Sequence, residues 1–427
     1  MKAAIEICSI VGPVTGIRSE VSLSIGELLR CVSSENFFGE PVHFEIRSVL
    51  GEGHYTAMAL EDSSGLRRGD VLESTGSSLR AAVGDALLGR MTDLYGNAMD
   101  GKGPITAAGC PIYQRAPSFS ELSFRYEPLR TGIMAIDIMC PCLKGGKTGI
   151  VGGAGVGKTL LMTSVMTNLL DQLHDSVLVF AGVGERSAET LKIYHELSSQ
   201  ARDRFSMLIS TMGDHPGKRA RSLWSAITLA ASFRDKGQHV IFAVDSIYRH
   251  IAAEAEIFGF AGQMPGPGGM QPTVYSELGR LHSYIESDFR GDITTLEAVY
   301  VPADDLSDQS MVTTFPFLDT AIVLDRDKAA KQQFPAIDFL KSSSAALKPE
   351  IVGERHCRLV CKIREIFQLT RDLETYISLW GSHELPEREK NMVDAAQKVS
   401  AYLSGRSHPA SVSLEQSLAD LSEILGI

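Results

Sequence analysis

Residues 152–161 read GGAGVGKTLL, directly after the apolar run Thr148-Gly149-Ile150-Val151 and ahead of an amphipathic stretch. Gly152 to Thr159 fits G-x-x-x-x-G-K-[ST] between a strand and a helix, a context that few backbones satisfy. The glycines let the chain curl so that N–H groups of Gly152, Gly153, Ala154, Gly155, Val156, Gly157, Lys158, Thr159 and Leu160 surround phosphate oxygens. The N-terminus of the following helix adds its positive dipole end. Lys158 neutralises phosphate charge and the Thr159 hydroxyl takes one Mg²⁺ position. A plain glycine turn does not demand Lys-Thr at its end, and a dinucleotide fingerprint would continue as G-x-G-x-x-G, which this segment does not. The expectation is a triphosphate cradle.

The chain of 427 residues exceeds what one core usually organises. Its first 75 or so residues read as short strands: Phe44 and Ile46 alternate with polar neighbours, Tyr55 to Leu60 forms another run, and 12–13, 51–53 and 63–65 supply turns. This predicts a small β-barrel or sandwich. From about Gly145 strands alternate with helices: Thr148–Val151, then helix 158–173, Val177–Ala181, a long polar helix, Met207–Ser210, helix 221–233, Val240–Val244, and later 293–301 and 320–324. That alternation implies parallel crossovers and a sheet covered on both faces. The stretch at 260–273 is too rich in Gly and Pro for either element and is expected as a protruding loop, a candidate surface toward a partner. Beyond residue 346, Leu359, Val360, Ile363, Ile366, Phe367, Leu373, Ile377 and Trp380 recur at helical spacing, a second helix starts near Pro386, and 413–427 reads as a last short helix. The expected fold class is α/β: a P-loop (RecA-like), mainly parallel sheet core over 76–346, an N-terminal β-barrel over 1–75 and a C-terminal helical domain over 347–427.

Two further segments supply chemistry. HVIFAVD ends an apolar strand at Asp245, the position from which an acid holds Mg²⁺ through water. VFAGVGERSAE places Glu185 and Arg186 just after a strand, on the edge where a parallel sheet presents its ligand loops. A carboxylate there can accept a proton from an attacking water, and the arginine can steady charge on the terminal phosphate.

The net charge of −11 and the absence of a basic block argue against a nucleic-acid partner. Glu6 interrupts the run a signal peptide needs, and no stretch approaches ~20 apolar residues, so an intracellular chain is expected. Seven scattered cysteines lack the companion pairs of a zinc site and read as reduced core thiols.

The segments RAPSFSELS (115–123), TGIMAID (131–137), GGAGVGKT, VFAGVGER, PGKRAR (216–221), QPTVYSELG (271–279), YVPADDLSD (300–308) and PAID (335–338) resemble, in order and nearly in spacing, the β subunit of F-type ATP synthases. GRMTDLYGNAMDGKGPI (89–105) is similar to that family's entry into its nucleotide domain. The resemblance implies a catalytic subunit, interconverting ATP with ADP and phosphate in an ion-translocating complex. Such subunits alternate with α-type subunits in a hexamer around a γ-type central shaft, in the cytoplasm and peripheral to the inner (plasma) membrane, which is contacted only through other subunits. It implies that Lys158 and Thr159 serve phosphate and Mg²⁺, and that Glu185 positions the water while Arg186 contacts the γ-phosphate. Glu189, Asp245 and Arg249 organise the metal's water shell, and Phe334 stacks on adenine. Non-catalytic α-type subunits resemble one another in carrying glutamine where this chain has Glu185.

Two departures accompany the resemblance. GRSHPASVSL (405–414) has no Phe or Tyr where the family has a second aromatic wall for adenine, leaving His408 as the substitute. The acidic rotor-facing region is reduced to HELPEREK (383–390). Arg326 sits where α-type chains carry an arginine finger, so a homomeric ring could supply its own, and RDKAAKQQFPAID (326–338) leans toward the alternative reading, a homohexameric flagellar or type III secretion-type export ATPase. A nucleotide-cemented structural subunit is a third, and an RNA translocase has the least support.

Overall fold

The computed structural model describes residues 5–123, 126–201, 203–264, 266, 271, 273–302, 305–381, 385–404 and 413–426. Of the segments singled out above, residues 265, 267–270, 272, 303–304, 383–384, 405–412 (with His408) and 427 lie outside them. The architecture is the expected α/β class: an N-terminal barrel, mainly parallel sheet and a C-terminal helical region. By contacts the chain divides into two compact units, Met1–Ser123 with His174–Ile293 and Ser307–Thr314, and Phe124–Leu173 with Thr294–Leu306 and Phe315–Ile427. Residues 76–346 are therefore shared between the two.

In the first unit a closed antiparallel barrel runs, in spatial order, Ile5–Val11, Val14–Ser19, His54–Ala59, His43–Gly51, Glu27–Cys31, Val71–Ser78. Closure comes from Ile5 opposite Leu72. Inward positions at alternate residues, Ile5 and Ile7, Phe44 and Ile46, fill it with apolar side chains. Next come four parallel strands in the order His239–Asp245, Ser176–Glu185, Phe205–Thr211, Arg90–Thr92. Every residue of Ser176–Glu185 is buried, as a strand covered on both faces requires. This strand runs beyond the expected Val177–Ala181, through Gly182 and Gly184 to Glu185. A Cβ at Gly182 would stand 2.8 Å from Ile209 Cδ1, so that glycine serves close packing inside the sheet.

Helix Pro216–Arg234 joins the barrel to these strands. A Cβ on Gly217 would lie 2.0 Å from the Ala59 carbonyl oxygen, so only glycine lets the helix start against the barrel wall. One turn on, Arg221 is fully buried. It donates to both carboxylate oxygens of the barrel's Glu45, at 2.8 and 3.1 Å, and to Glu254 Oε1 at 2.7 Å on helix Ile247–Phe260.

In the second unit the strand Lys147–Gly152 lies between Ile293–Tyr300 and Thr320–Val323, parallel to both, with Ser343–Ser344 antiparallel at the edge. Helix Lys158–Gln172 follows the central strand. The C-terminal part is helical as expected: Glu354–Asp372, Glu374–Trp380, Glu387–Leu403 and Leu414–Leu425. The buried stripe Leu359, Val360, Ile363 and Ile366 stops before the end of the apolar pattern. Leu379 and Trp380 are 71% and 64% exposed, because Glu374–Trp380 is a separate short helix rather than a continuation.

The thiols also differ from expectation. Cys31, Cys140 and Cys142 are buried, but Cys8, Cys110 and Cys357 are half-buried and Cys361 is exposed; all seven are free. Burial pushes the Cys142 thiol up to about 12, so that sulfur stays protonated and unreactive. Among the described residues no helix is long and apolar enough to cross a membrane.

Candidate functional site

The expected site residues fall into two groups, one in each unit. In the second unit the strand ending at Gly152 delivers the chain into the glycine loop. Gly155 and Gly157 adopt φ of 74° and 93°, where a side chain is strained although the space around them is open. Gly152 is constrained by room: a Cβ would meet Val156 Cγ2 at 2.8 Å and Leu324 Cβ at 3.2 Å. Gly152, Gly153 and Val156 are buried whereas Ala154, Gly155 and Leu160 are exposed, so Val156 anchors the loop while its crest faces solvent.

Lys158 opens the helix, and its Nζ donates to the carbonyls of Gly152, at 2.8 Å, and Gly153. The ammonium lies 5.3 Å from the Tyr300 ring centroid, over the neighbouring strand's end. Thr159 is half-buried on the first turn. Beside the loop a cavity of about 300 Å³ is lined by Gly152, Val301, Leu324, Arg326, Asp338 and Lys341. Arg326 begins a short helix whose N-cap, Asp325, accepts from Lys328 N at 2.8 Å. Its Nη1 donates to the Ala154 carbonyl at 3.3 Å, within its own chain. Phe334, half-buried before a cis proline, does not line that cavity.

In the first unit the ends of two adjacent parallel strands bring carboxylates together. Gly182 pairs with Asp245, and beyond the irregularity at Val183/Glu185 the strand ends at Glu185. Glu185 and Asp245 are 4% and 6% exposed. Glu185 Oε1 accepts from Arg249 Nη1, on the first turn of helix Ile247–Phe260, and Oε2 accepts from the Arg186 backbone N–H at 3.1 Å. Burial first, then the charge of Asp245, pushes the Glu185 carboxyl up to about 7; Arg249 and the Arg186 amide oppose this without cancelling it. A Cβ at Gly184, where φ is 62°, would stand 3.3 Å from Arg249 Cδ, so glycine keeps that guanidinium's approach open. Glu185 is thus a carboxyl that exchanges its proton near neutral pH.

Arg186 and Glu189 behave otherwise. Both lie exposed at the start of helix Ser187–Gln200, with Arg186 Nη1 3.6 Å from Glu189 Oε1. Exposed pairs of this kind contribute little to stability, so their placement leaves both side chains accessible to a ligand. Thr159, Glu189 and Asp245 offer only oxygen donors, the donor type Mg²⁺ prefers.

Residues 132–344 match the model of the ATP synthase alpha/beta family, nucleotide-binding domain. The chain's nucleotide-binding domain belongs to the ATP synthase alpha/beta family. This alpha/beta-family domain contains the glycine loop, Glu185, Asp245, Arg249 and Phe334, and the match supports nucleotide binding by a chain of the rotary ATPase type. What sequence reading did not single out is the buried set around Arg221. Its one visible signal is the His250/Glu254 spacing of four residues, which places both on one face of a helix.

Proposed function

We propose that the chain is the catalytic nucleotide-binding subunit of a rotary ATP synthase or ATPase, interconverting ATP with ADP and phosphate in a Mg²⁺-dependent reaction coupled to rotation and ion transport. The observation that carries this reading is Glu185: a nearly buried carboxyl at a strand end, held near pH 7 and beside Asp245 and Arg249. A subunit that merely holds nucleotide has no use for a proton acceptor poised there, and maintaining it buried is costly.

In this reading the loop amides and Lys158 bind the β- and γ-phosphates. Thr159, Asp245 and Glu189 hold Mg²⁺, which neutralises phosphate charge. Arg186 contacts the γ-phosphate and Arg249 fixes the orientation of Glu185 for the attacking water. Phe334 faces adenine. The partners are α-type subunits in an alternating hexamer and a γ-type shaft, in the cytoplasm and peripheral to the inner membrane through other subunits.

The test uses the chain assembled with its partner subunits. Glu185→Gln is expected to keep ATP binding and lose turnover, and Lys158→Ala to lose triphosphate binding. Full turnover by the glutamine variant would remove Glu185 from the mechanism. A second reading, a homohexameric export ATPase, draws on Arg326, which would let identical subunits supply one another's arginine finger. Native mass spectrometry separates the two: a self-sufficient active hexamer favours the export ATPase, and a monomer that needs a second chain favours the alternating ring.

A further inference from the structure

We infer that His250, Glu254 and Glu277 form a binding site for a divalent transition-metal ion of the zinc type, separate from the Mg²⁺ that accompanies nucleotide. Each residue contributes one donor atom, and the three lie within 4.8 Å of one another. His250 is 1% exposed, and neither of its ring nitrogens has a hydrogen-bond partner among the described residues. Glu254, 2% exposed, uses Oε1 to accept from Arg221, while its Oε2 has no hydrogen-bond partner among the described residues. Two ring nitrogens and a carboxylate oxygen buried without hydrogen bonds are costly, because each has given up its hydration. A cation bonded to them removes that penalty.

The charges around the cluster leave room for it. Arg221 is the nearest guanidinium, but it is engaged bidentately by Glu45. Arg47 Nη2 is 3.9 Å from Glu254 Oε2 and half-exposed. Three carboxylates (Glu45, Glu254, Glu277) thus face two guanidiniums, and the least matched is Glu277, whose Oε1 lies 3.9 Å from Arg221 Nη1, beyond hydrogen-bond reach, and accepts from Trp224 Nε1 at 3.4 Å.

Geometry and donor type narrow the ion. Tetrahedral zinc with bonds of about 2.1 Å places its donors ~3.4 Å apart. Donors now within 4.8 Å reach that by modest side-chain rotation. An imidazole among the ligands favours zinc and its first-row neighbours over Mg²⁺ or Ca²⁺, which take oxygen. Arg221 on Glu254 Oε1 is the outer-shell partner that orients a ligating carboxylate, and Glu277, the least buried of the three, leaves a route from solvent.

The experiment loads chelator-stripped full-length chain with Zn²⁺ or Co²⁺, desalts it and counts bound metal by mass spectrometry, with visible Co²⁺ absorption reporting nitrogen ligation. One tightly held equivalent per chain is expected. It should weaken by more than about 100-fold in His250→Phe, beyond the 10- to 100-fold that losing an outer-shell partner costs. The Glu277→Gln variant, at a partly exposed position, repeats the test should His250→Phe not fold, and Lys158→Ala should keep the metal. A wild-type chain that desalts metal-free, as when a water bridges the three side chains, overturns the inference. So does metal retained by the two cluster variants or lost with Lys158.

Discussion

Two buried carboxylate clusters of the same unit differ in how their charge is matched. Around Arg221, a guanidinium with no exposure bonds Glu45 through two nitrogens and Glu254 through a third. Burial works to raise Glu45 and Glu254, yet the Arg221 charge prevails and both carboxyls are held below their ordinary value. Around Glu185 the matching arginine, Arg249, is 31% exposed and gives one bond, and Asp245 adds a second negative charge. There burial wins, and the carboxyl moves up to about 7. Burying an acid is therefore not what marks a reactive site; leaving its charge incompletely compensated is. The first cluster fixes a helix to a barrel, and the second holds a proton that neutral solution can remove.

Substitution should separate them by kind as well as by size. In the assembled ring Glu185→Gln is expected to lower turnover about 10²- to 10⁴-fold, the usual value of a positioned general base, with ATP affinity little changed. Rate measured against nucleotide affinity by single-turnover titration tests this, and an equal loss in both would assign Glu185 to binding. Arg221→Met should leave no specific kinetic signature in whatever protein folds, because its cost falls on stability. Removing one partner of a buried ionic set costs about 3–5 kcal/mol. Urea denaturation of the isolated chain reads that loss, and a change below ~1 kcal/mol would mean that Glu45 and Glu254 find protons or water instead.

How much of this was legible in the sequence follows the same division. The glycine loop could be read directly because it is local: four glycines and Lys-Thr are spaced along one strand–turn–helix, and the strain at Gly155 and Gly157 is a backbone property. Asp245 was legible because an apolar strand visibly ends there. Glu185 is expected just after the strand Val177–Ala181, but the strand itself reaches it through Gly182 and Gly184; burial on both faces overrides the low strand propensity of glycine. The Arg221 set was not legible, because Glu45, Arg221, Glu254 and Glu277 are brought together only by the barrel and three helices, Pro216–Arg234, Ile247–Phe260 and Thr273–Tyr284. Gly217 shows the reason in miniature: a glycine early in a helix is unremarkable until the Ala59 carbonyl is found where its Cβ would be. The exposed end of the C-terminal stripe at Trp380 failed for the opposite reason, since helical spacing says nothing about whether a partner is there to cover it.

The two clusters should also have opposite pH signatures. The folded-state value of Glu185 lies above the ordinary 4.5, so its contribution to stability is complete below about pH 4.5 and is lost as pH rises through about 7. The depressed Glu45 and Glu254 contribute stability that is present above about 4.5 and is lost as pH falls below it. Thermal melting of the wild type against pH should therefore decline on both sides of a maximum, with Glu185→Gln flattening only the neutral limb. Turnover should follow the ionised fraction of Glu185 and rise with pH through about 7. A rate already at its plateau at pH 6 would show that nucleotide binding has displaced this titration.

The smallest expected effect lies at His250, where the Arg221 cluster ceases to be merely structural. In chelator-stripped protein His250→Phe replaces two unpartnered ring nitrogens with apolar edge in a fully buried position. The gain from removing unsatisfied polar atoms, offset by the slightly larger ring, is about 1 kcal/mol of added stability. With Zn²⁺ present the sign should reverse, because only the wild type gains from binding to the folded state. Paired melting curves with and without metal read the crossing directly. A phenylalanine variant less stable than wild type under both conditions would mean that the imidazole already has a partner, and the contrast between a saturated cluster and an open one would then hold only at Glu185.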